Sequence, residues 1–339
     1  MGAIGWSGRW KFWLSAGGNG AYHPVMTPRM FTAALLGMAA IWLTGCSSTT
    51  ELPLMTGNQS GAVAEGAAVY REAKQADESG EVKRAIKLYD RTATRYPFVD
   101  EAAQARFRQA ELLEQRGEPL KAFDAYQKFL TRFQGSGLYS TALSRQARMA
   151  QAAADGELKT RFLGLRTRLD HEKVVEMLAQ VRDNAPKSAT ASRAQYTIGQ
   201  THESQHKSRE SIKAIEAYRQ LVRDQPESKE APEAMFRIGI VLIGEADRGN
   251  QNQATLDLAR ESFNDYLNQY PGHHRNAEAR KLIADIGKRD LDRTFDVAEY
   301  YMKTGQVESA KVYYRDIVKR SSSGQLHDAA RARLRELGE

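Results

Sequence analysis

A spacing of small and large apolar residues recurs six times along the chain and constrains the fold more than any other feature. A small residue comes first, as Ala85, Ala122, Val174, Ala214, Ala259 and Ala310. Four positions later come Tyr89, Tyr126, Leu178, Tyr218, Phe263 and Tyr314. Seven positions after the first come Thr92, Phe129, Val181, Leu221, Tyr266 and Ile317. Residues spaced in this way share one face of an α-helix, so the pattern predicts six helices that each bury one face.

Glycine and proline mark the two ends of these helices. Five residues before the small residue stand Gly80, Gly117 and Gly305, which suit the turn between two helices. Twelve residues after it stand Pro97, Pro186, Pro226 and Pro271, with Gln134 and Ser322 in the other two copies. Proline stops a helix because it has no N–H and restricts the residue before it. Pro119 and Pro232 precede helix-like runs, as first-turn prolines do.

A second segment with helical periodicity precedes the repeated one, for example in 67–79, 102–116, 191–205 and 232–246. The small residue lets the two helices approach closely. This pattern resembles the tetratricopeptide (TPR) repeat, whose register Gly80, Ala85, Tyr89 and Pro97 match within one unit. It predicts an all-α, right-handed solenoid of about five to six helix pairs over residues 67–339. We find no convincing strand, and we interpret polar stretches such as 155–160 and 247–253 as longer loops or helix extensions.

The first 45 residues differ from the rest in composition. They hold all four tryptophans and no acidic residue, and an uncharged run from Phe31 to Leu43 follows Arg29. This run is too short to span a bilayer but fits a secretory signal peptide. It ends in Leu43-Thr44-Gly45-Cys46, which resembles a bacterial lipobox and contains the only cysteine. We therefore predict lipidation of Cys46 by acyl chains such as palmitate; the alternative is a small buried cysteine beside a chance apolar run.

These features predict a three-part chain. Residues 1–45 are a signal peptide, whose true start is Met26 or Met30, 46–66 are a lipidated flexible tether, and 67–339 are the solenoid. Ser47 after the cysteine indicates the outer membrane. The net charge of +7 is modest for 339 residues and gives no footprint of nucleic-acid binding. A lone cysteine excludes an internal disulfide and a cysteine-based zinc cage.

One motif suggests chemistry. His202-Glu203-Ser204-Gln205-His206 matches H-E-x-x-H, in which two histidines on one helix face bind zinc and the glutamate is a general base. The motif lies at a polar helix end and has no identified third ligand, since nothing places His273 and His274 nearby. We interpret it as a solvated helix end, and we find no phosphate-binding loop, nucleophile elbow or dinucleotide motif. The sequence predicts a protein that is not an enzyme and has no cofactor or metal.

The TPR segments carry a more specific resemblance. Tyr-Pro closes 94–97 and 263–271, and Ala-Glu-Tyr-Tyr lies within 296–305. Together with the lipobox, these runs resemble the BamD family of lipoproteins in outer-membrane β-barrel assembly. The resemblance extends over about residues 67–320, although that family has five repeats and we count about six. It implies a lipid-anchored outer-membrane scaffold that faces the periplasm.

The resemblance also implies partners and a binding helix. N-terminal repeats would recognise unfolded outer-membrane proteins, and C-terminal repeats would dock a POTRA-containing, BamA-like barrel protein. The helix before Gly305 would lie close to that partner, which makes Arg289 and Arg293 candidate binding residues. An arginine fork can hold a carboxylate with two hydrogen bonds. Tyr70, Tyr126, Tyr218, Tyr300 and Tyr301 are interpreted as core residues.

Two alternatives stay open. The chain could be another periplasmic TPR adaptor lipoprotein, similar to the Tol-Pal coordinator or to pilus-assembly lipoproteins. A zinc hydrolase built on the H-E-x-x-H motif is a distant third. Recovery of a POTRA-containing barrel protein in a pull-down would favour the BamD-like function, and metal analysis would test the hydrolase.

We predict that Cys46→Ser leaves the protein unprocessed or moves it out of the membrane fraction, because the lipid is attached to the cysteine sulfur. Membrane fractionation and intact-mass measurement check this outcome. Since all four tryptophans precede Cys46, mature protein purified from membranes should show no tryptophan fluorescence. Tryptophan emission from that material would contradict the predicted cleavage site.

Overall fold

A computed structural model describes residues 59–162, 165–249 and 252–339, and within these ranges thirteen helices follow one another. Twelve of them form six consecutive pairs. The first helices of the pairs are α1 (Gln59–Glu78), α3 (Ala102–Gln115), α5 (Tyr139–Ala154), α7 (Ala189–Glu203), α9 (Ala231–Arg248) and α11 (Asn276–Lys303). The second helices are α2 (Val82–Arg95), α4 (Pro119–Arg132), α6 (His171–Asn184), α8 (Ser208–Asp224), α10 (Gln253–Gln269) and α12 (Val307–Arg320). Helix α13 (Gln325–Glu336) closes the array.

The repeated 0, 4, 7 spacing falls on the second helix of every pair. All residues at these three positions are buried, with at most 4% of each exposed. Each helix packs mainly on the helices one or two places along the chain, which is how a solenoid buries a continuous core. The predicted all-α solenoid of TPR-like helix pairs is therefore confirmed, with six pairs and a terminal helix among the described residues. None of the described helices combines the length and apolar content needed to cross a membrane.

The glycines and prolines lie at the helix ends where the sequence predicted them. Gly80, Gly117 and Gly305 adopt φ values of 79°, 69° and 75°, a left-handed conformation that glycine reaches without steric cost. Each stands two residues before a second helix. In the fourth pair the same place is taken by His206, with φ 51°. The four prolines predicted to end helices each lie two residues beyond the last helical residue of α2, α6, α8 and α10.

The absence of strands was a wrong prediction. Between α5 and α6, β1 (Lys159–Phe162) and β2 (Leu165–Arg168) form an antiparallel hairpin that begins inside the stretch 155–160, which was interpreted as a loop or helix extension, and continues beyond it. Lys159 pairs with Arg168, and Arg161 with Arg166. Two four-residue strands contain too few alternations to stand out in the sequence. The hairpin absorbs the extra length of the third pair and leaves the helical register intact.

The first helix begins earlier than predicted. Helix α1 begins at Gln59, inside the segment 46–66 that was predicted to be a tether. The physical reason lies at Gly66, where a Cβ atom would come within 2.6 Å of Tyr96 and Val99. Because only glycine permits this approach, Gly66 is buried against the segment that follows α2, while most of the residues from Gly61 to Glu65 are exposed. Cys46 and the rest of the predicted tether lie outside the described residues.

A polar clamp joins successive pairs at four places. In each clamp a buried tyrosine of the second helix donates to an acid near the end of its first helix, and an arginine from the next first helix, or from α13 at the terminus, pairs with that acid. The sets are Asp77, Tyr89 and Arg108; Glu114, Tyr126 and Arg145; Glu203, Tyr218 and Arg237; Glu299, Tyr314 and Arg333. Tyrosine–acid distances run from 2.6 to 3.2 Å. The third and fifth pairs have Leu178 and Phe263 at the tyrosine position, and so lack the clamp.

Two glycine-to-alanine changes test the packing. A Cβ at Gly199 of α7 would lie 2.3 Å from the buried Tyr218 ring, whereas a Cβ at Gly287 of α11 meets nothing within 4 Å. We predict that Gly199→Ala lowers the free energy of unfolding by about 1–3 kcal/mol through overpacking. Gly287→Ala should leave it unchanged or raise it by up to about 1 kcal/mol, because alanine favours the helix. Urea unfolding measures both, and equal effects would contradict the close contact.

Candidate functional site

Helix α11 is the longest described helix and carries both predicted binding residues. The Arg289 side chain is 41% exposed, and its Nη1 lies 2.8 Å from Oδ1 of Asp247 near the end of α9. Arg293 is exposed and has no ion-pair partner among the residues that the structure describes. An exposed pair such as Arg289–Asp247 contributes only about 0–1 kcal/mol, so a partner carboxylate could compete for the arginine.

The Ala-Glu-Tyr-Tyr motif divides into buried and exposed parts. Ala298 is fully buried, and Glu299 belongs to the last polar clamp. Tyr301 stacks on Tyr313 of α12 with ring centroids 5.5 Å apart. Tyr300 is 62% exposed, so its assignment to the core was wrong. The sequence held a signal for this, because Tyr300 is two residues from Ala298 and therefore lies on the opposite side of the helix.

Four exposed residues of α11 line up along the helix. Arg289, Arg293, Asp296 and Tyr300 are separated by four, three and four residues, which places them on one face. We call this row the α11 stripe. It combines two guanidinium groups, a carboxylate and a tyrosine ring in solvent. Arginine and tyrosine are among the residues most enriched at the positions that contribute most of an interface's binding energy.

A groove of about 1130 Å³ opens elsewhere, between the first helices α5 and α7 and the segment 224–230. Leu143, Ala147 and Val181 contribute apolar surface to it, while charges of both signs, among them Arg148 and Glu227, stand along it. Apolar surface with polar groups beside it suits an extended polypeptide better than a small charged ligand.

The H-E-x-x-H motif does not form a protease site. Helix α7 ends at Glu203, and His206 is exposed in the following turn, so the two histidines do not share a helix face. Glu203 is engaged in a polar clamp, where it accepts a hydrogen bond from Tyr218 at 2.8 Å and pairs with Arg237. The interpretation as a solvated helix end was also wrong for His202, which is only 8% exposed.

His202 instead lies beside residues that the sequence did not single out, His171 and Glu210. Hydrogen bonds from Lys213 and His202 lower the pKa of Glu210 to about 2. Burial lowers the pKa of His202. Near neutral pH Glu210 is therefore ionised and His202 is neutral. No sequence signal marked this group, because its members come from three helices.

Two family models match the sequence. One, described as YfiO, outer membrane lipoprotein, matches residues 166–328. The other, the tetratricopeptide repeat, matches residues 104–136. The chain thus has a TPR-like fold with a YfiO-like portion that includes the whole α11 stripe. The part of the predicted BamD resemblance before residue 166 is not matched by the YfiO model. Both families consist of non-catalytic scaffold proteins.

No curated protein matches the chain. Among solved structures, the MamA protein is 17% identical, with a TM-score of 0.31 and coverage of 63% of this chain and 96% of that one. PilF of Pseudomonas aeruginosa is 14% identical, with a TM-score of 0.31 and coverage of 81% and 98%. The apo form of RapI is 13% identical, with a TM-score of 0.27 and coverage of 80% and 99%.

The role of Glu203 is testable by Glu203→Gln. The side chains of Glu203 and Arg237 are only 16% and 30% exposed. Because the change weakens charge-assisted hydrogen bonds, we predict a loss of about 1.5–3 kcal/mol in the free energy of unfolding. Chemical denaturation measures this loss. Glu216→Gln is the matched control, since Glu216 is 64% exposed and, among the described residues, pairs only with exposed Arg223. A Glu203→Gln variant as stable as the control would contradict the clamp.

Proposed function

We propose that this protein is a periplasm-facing lipoprotein scaffold of the outer-membrane β-barrel assembly machinery. It binds a POTRA-containing, BamA-like barrel protein and unfolded outer-membrane protein substrates, and it catalyses no reaction. The observation that carries the proposal is the match of residues 166–328 to YfiO, the BamD family, whose members take part in protein–protein interactions of outer-membrane assembly.

The α11 stripe is the proposed docking surface for the barrel partner. Arg289 would give up its exposed ion pair with Asp247 to pair with a carboxylate of the partner. Arg293 would pair with a partner carboxylate without first breaking an ion pair to a described residue. Shielding from water at an interface strengthens such pairs, so removing one member costs about 2–5 kcal/mol. Tyr300 would supply an apolar ring with a polar tip beside these charges.

The groove between α5 and α7 is the proposed site for unfolded substrates. An unfolded outer-membrane protein offers extended segments of alternating apolar and polar residues. Leu143 and Ala147 would contact apolar side chains, and the charged rim would contact polar ones. Weak, adaptable contacts of this kind suit a scaffold that must release its substrate.

Membrane attachment is proposed to come from lipid on Cys46. The residues between the lipid and α1 would then place the solenoid near the periplasmic surface of the outer membrane. Two or more acyl chains anchor a protein stably, so no membrane-spanning helix is required.

Charge reversal on the stripe tests the docking surface. Full-length protein extracted in detergent is used as bait, and captured partners are identified by mass spectrometry. We predict that Arg289→Glu and Arg293→Glu each reduce capture of a POTRA-containing barrel protein more than tenfold. Helicity and melting temperature should stay near wild type, because the only pair that is lost is exposed.

Two controls separate docking from the intramolecular pair. Lys288→Glu reverses an exposed charge on the same helix about 100° around from Arg289, and it should leave capture unchanged. Asp247→Asn frees Arg289 without removing it and should preserve or increase capture. Undiminished capture by both stripe variants would overturn the docking surface. Recovery of Tol-Pal or pilus-assembly proteins in place of a barrel protein would favour the alternative adaptor function.

A further inference from the structure

Three side chains from three helices meet at the junction of the third and fourth pairs. His171 opens α6, His202 lies one residue before the end of α7, and Glu210 lies in the first turn of α8. Nδ1 of His202 is 2.8 Å from Oε2 of Glu210, and Nε2 of His171 is 3.3 Å from the same oxygen. His202 and Glu210 are buried, and His171 is 22% exposed at its side chain.

The spacing of these atoms fits a metal ion. In a tetrahedral zinc site with bonds of about 2.0–2.1 Å, ligand atoms lie about 3.3 Å apart. The three ligand atoms lie within 4.8 Å of one another. The two imidazole rings meet edge to face, at 78°, so that they do not stack and a nitrogen of each faces Glu210. A site with two imidazole nitrogens and one carboxylate oxygen binds zinc and similar transition metals in preference to magnesium or calcium.

Charged residues flank two of the ligands. Oδ1 of Asp170 lies 4.0 Å from Nδ1 of His171, the ring nitrogen that points away from Glu210. Asp170 is itself fixed, because it caps α6 by accepting a hydrogen bond from the backbone of Glu172. Lys213 lies 3.0 Å from Oε1 of Glu210, which leaves Oε2 to the histidines.

The group lies at a junction between helix pairs that has no polar clamp. The third pair has Leu178 where four other pairs have the clamp tyrosine, so no polar clamp ties it to α7. The fifth pair also lacks a clamp, but there Arg275 pairs with Glu233 at 2.8 Å and lies over the Phe236 ring. At the third junction, His171 of the third pair meets Glu210 of the fourth pair, beside His202.

We propose that His171, His202 and Glu210 bind a divalent transition-metal ion, with Zn²⁺ the preferred one, which joins the third helix pair to the fourth. Three protein ligands leave one position of a tetrahedral site for water. The ion bridges α6, α7 and α8, and its site is distinct from the H-E-x-x-H geometry because His206 takes no part in it. The inference does not depend on the proposed function.

A second group, Glu233, His273 and His274, serves as a comparison. Its ligand atoms are already engaged, since Nδ1 of His273 lies 2.6 Å from the Tyr266 hydroxyl and Arg275 occupies Glu233. His274 is exposed. We therefore expect this group to bind zinc much more weakly than the junction group.

The test uses the full-length protein, extracted in detergent with an affinity tag free of histidine and stripped with a chelator. Titration with zinc chloride against a competing indicator should give one tight site per chain and raise the melting temperature, while magnesium chloride should do neither. Loss of outer-sphere partners costs about 10–100-fold in metal affinity, so His171→Gln should weaken zinc binding at least about tenfold. His206→Gln and His274→Gln are the matched controls and should bind like wild type.

A measurement without substitutions covers the case in which His171→Gln does not fold. Diethylpyrocarbonate modifies accessible imidazoles, and mass spectrometry locates the modified residues. Zinc should protect His171 and leave His206 as reactive as before. Absence of a tight site, tight binding that survives in a folded His171→Gln variant, or equal reactivity of His171 with and without zinc would each overturn the proposal.

Discussion

The contact between the small residue of each second helix and its first helix determines the geometry of the rest of the solenoid. At Ala85, Ala122, Ala214, Ala259 and Ala310 no surface is exposed, because a methyl group fills the space between two helix backbones. This close approach brings the aromatic ring four residues later against the first helix. Where that ring is tyrosine, its hydroxyl reaches an acid at the end of the first helix, and the acid then accepts an arginine from beyond the pair. The alanine methyl group therefore determines how closely the two helices of a pair pack, and it also places the tyrosine that forms the polar clamp to the next pair.

The sequence predicted the helix pairs because their signals are local. The 0, 4, 7 spacing, the left-handed glycines and the prolines all act within a single turn or helix, so they can be recognised without the fold. The sequence could not show the clamps, because the acid and the arginine of each clamp are 31 or 34 residues apart. Nor could it show the pairing of His171 with Glu210, which are 39 residues apart. The hairpin was missed because its strands are short, and the start of α1 because Gly66 resembles a linker residue until Tyr96 is placed beside it.

The clamp also explains why a protease-like motif occurs in a scaffold. Glu203 stands three residues before the turn residue of its pair, as Asp77 and Glu114 do in the first two pairs, and like them it holds the clamp tyrosine. His206 stands where three pairs have glycine in the turn. Two repeat positions and the spacing between them therefore account for the E-x-x-H part of the motif. They do not account for His202, whose ring lies against Glu210.

The proposed substrate groove and the histidine junction lie on the same helices. Leu178 and Val181 of α6 line the groove, two to three turns beyond His171 at the start of that helix. The groove is also bounded by α7, which carries His202 at its other end. In a solenoid a small rotation between neighbouring pairs changes the spacing of their first helices. An ion that joined α6 to α7 and α8 would limit that rotation, and so it would hold the groove between α5 and α7 at one width for an extended chain to enter.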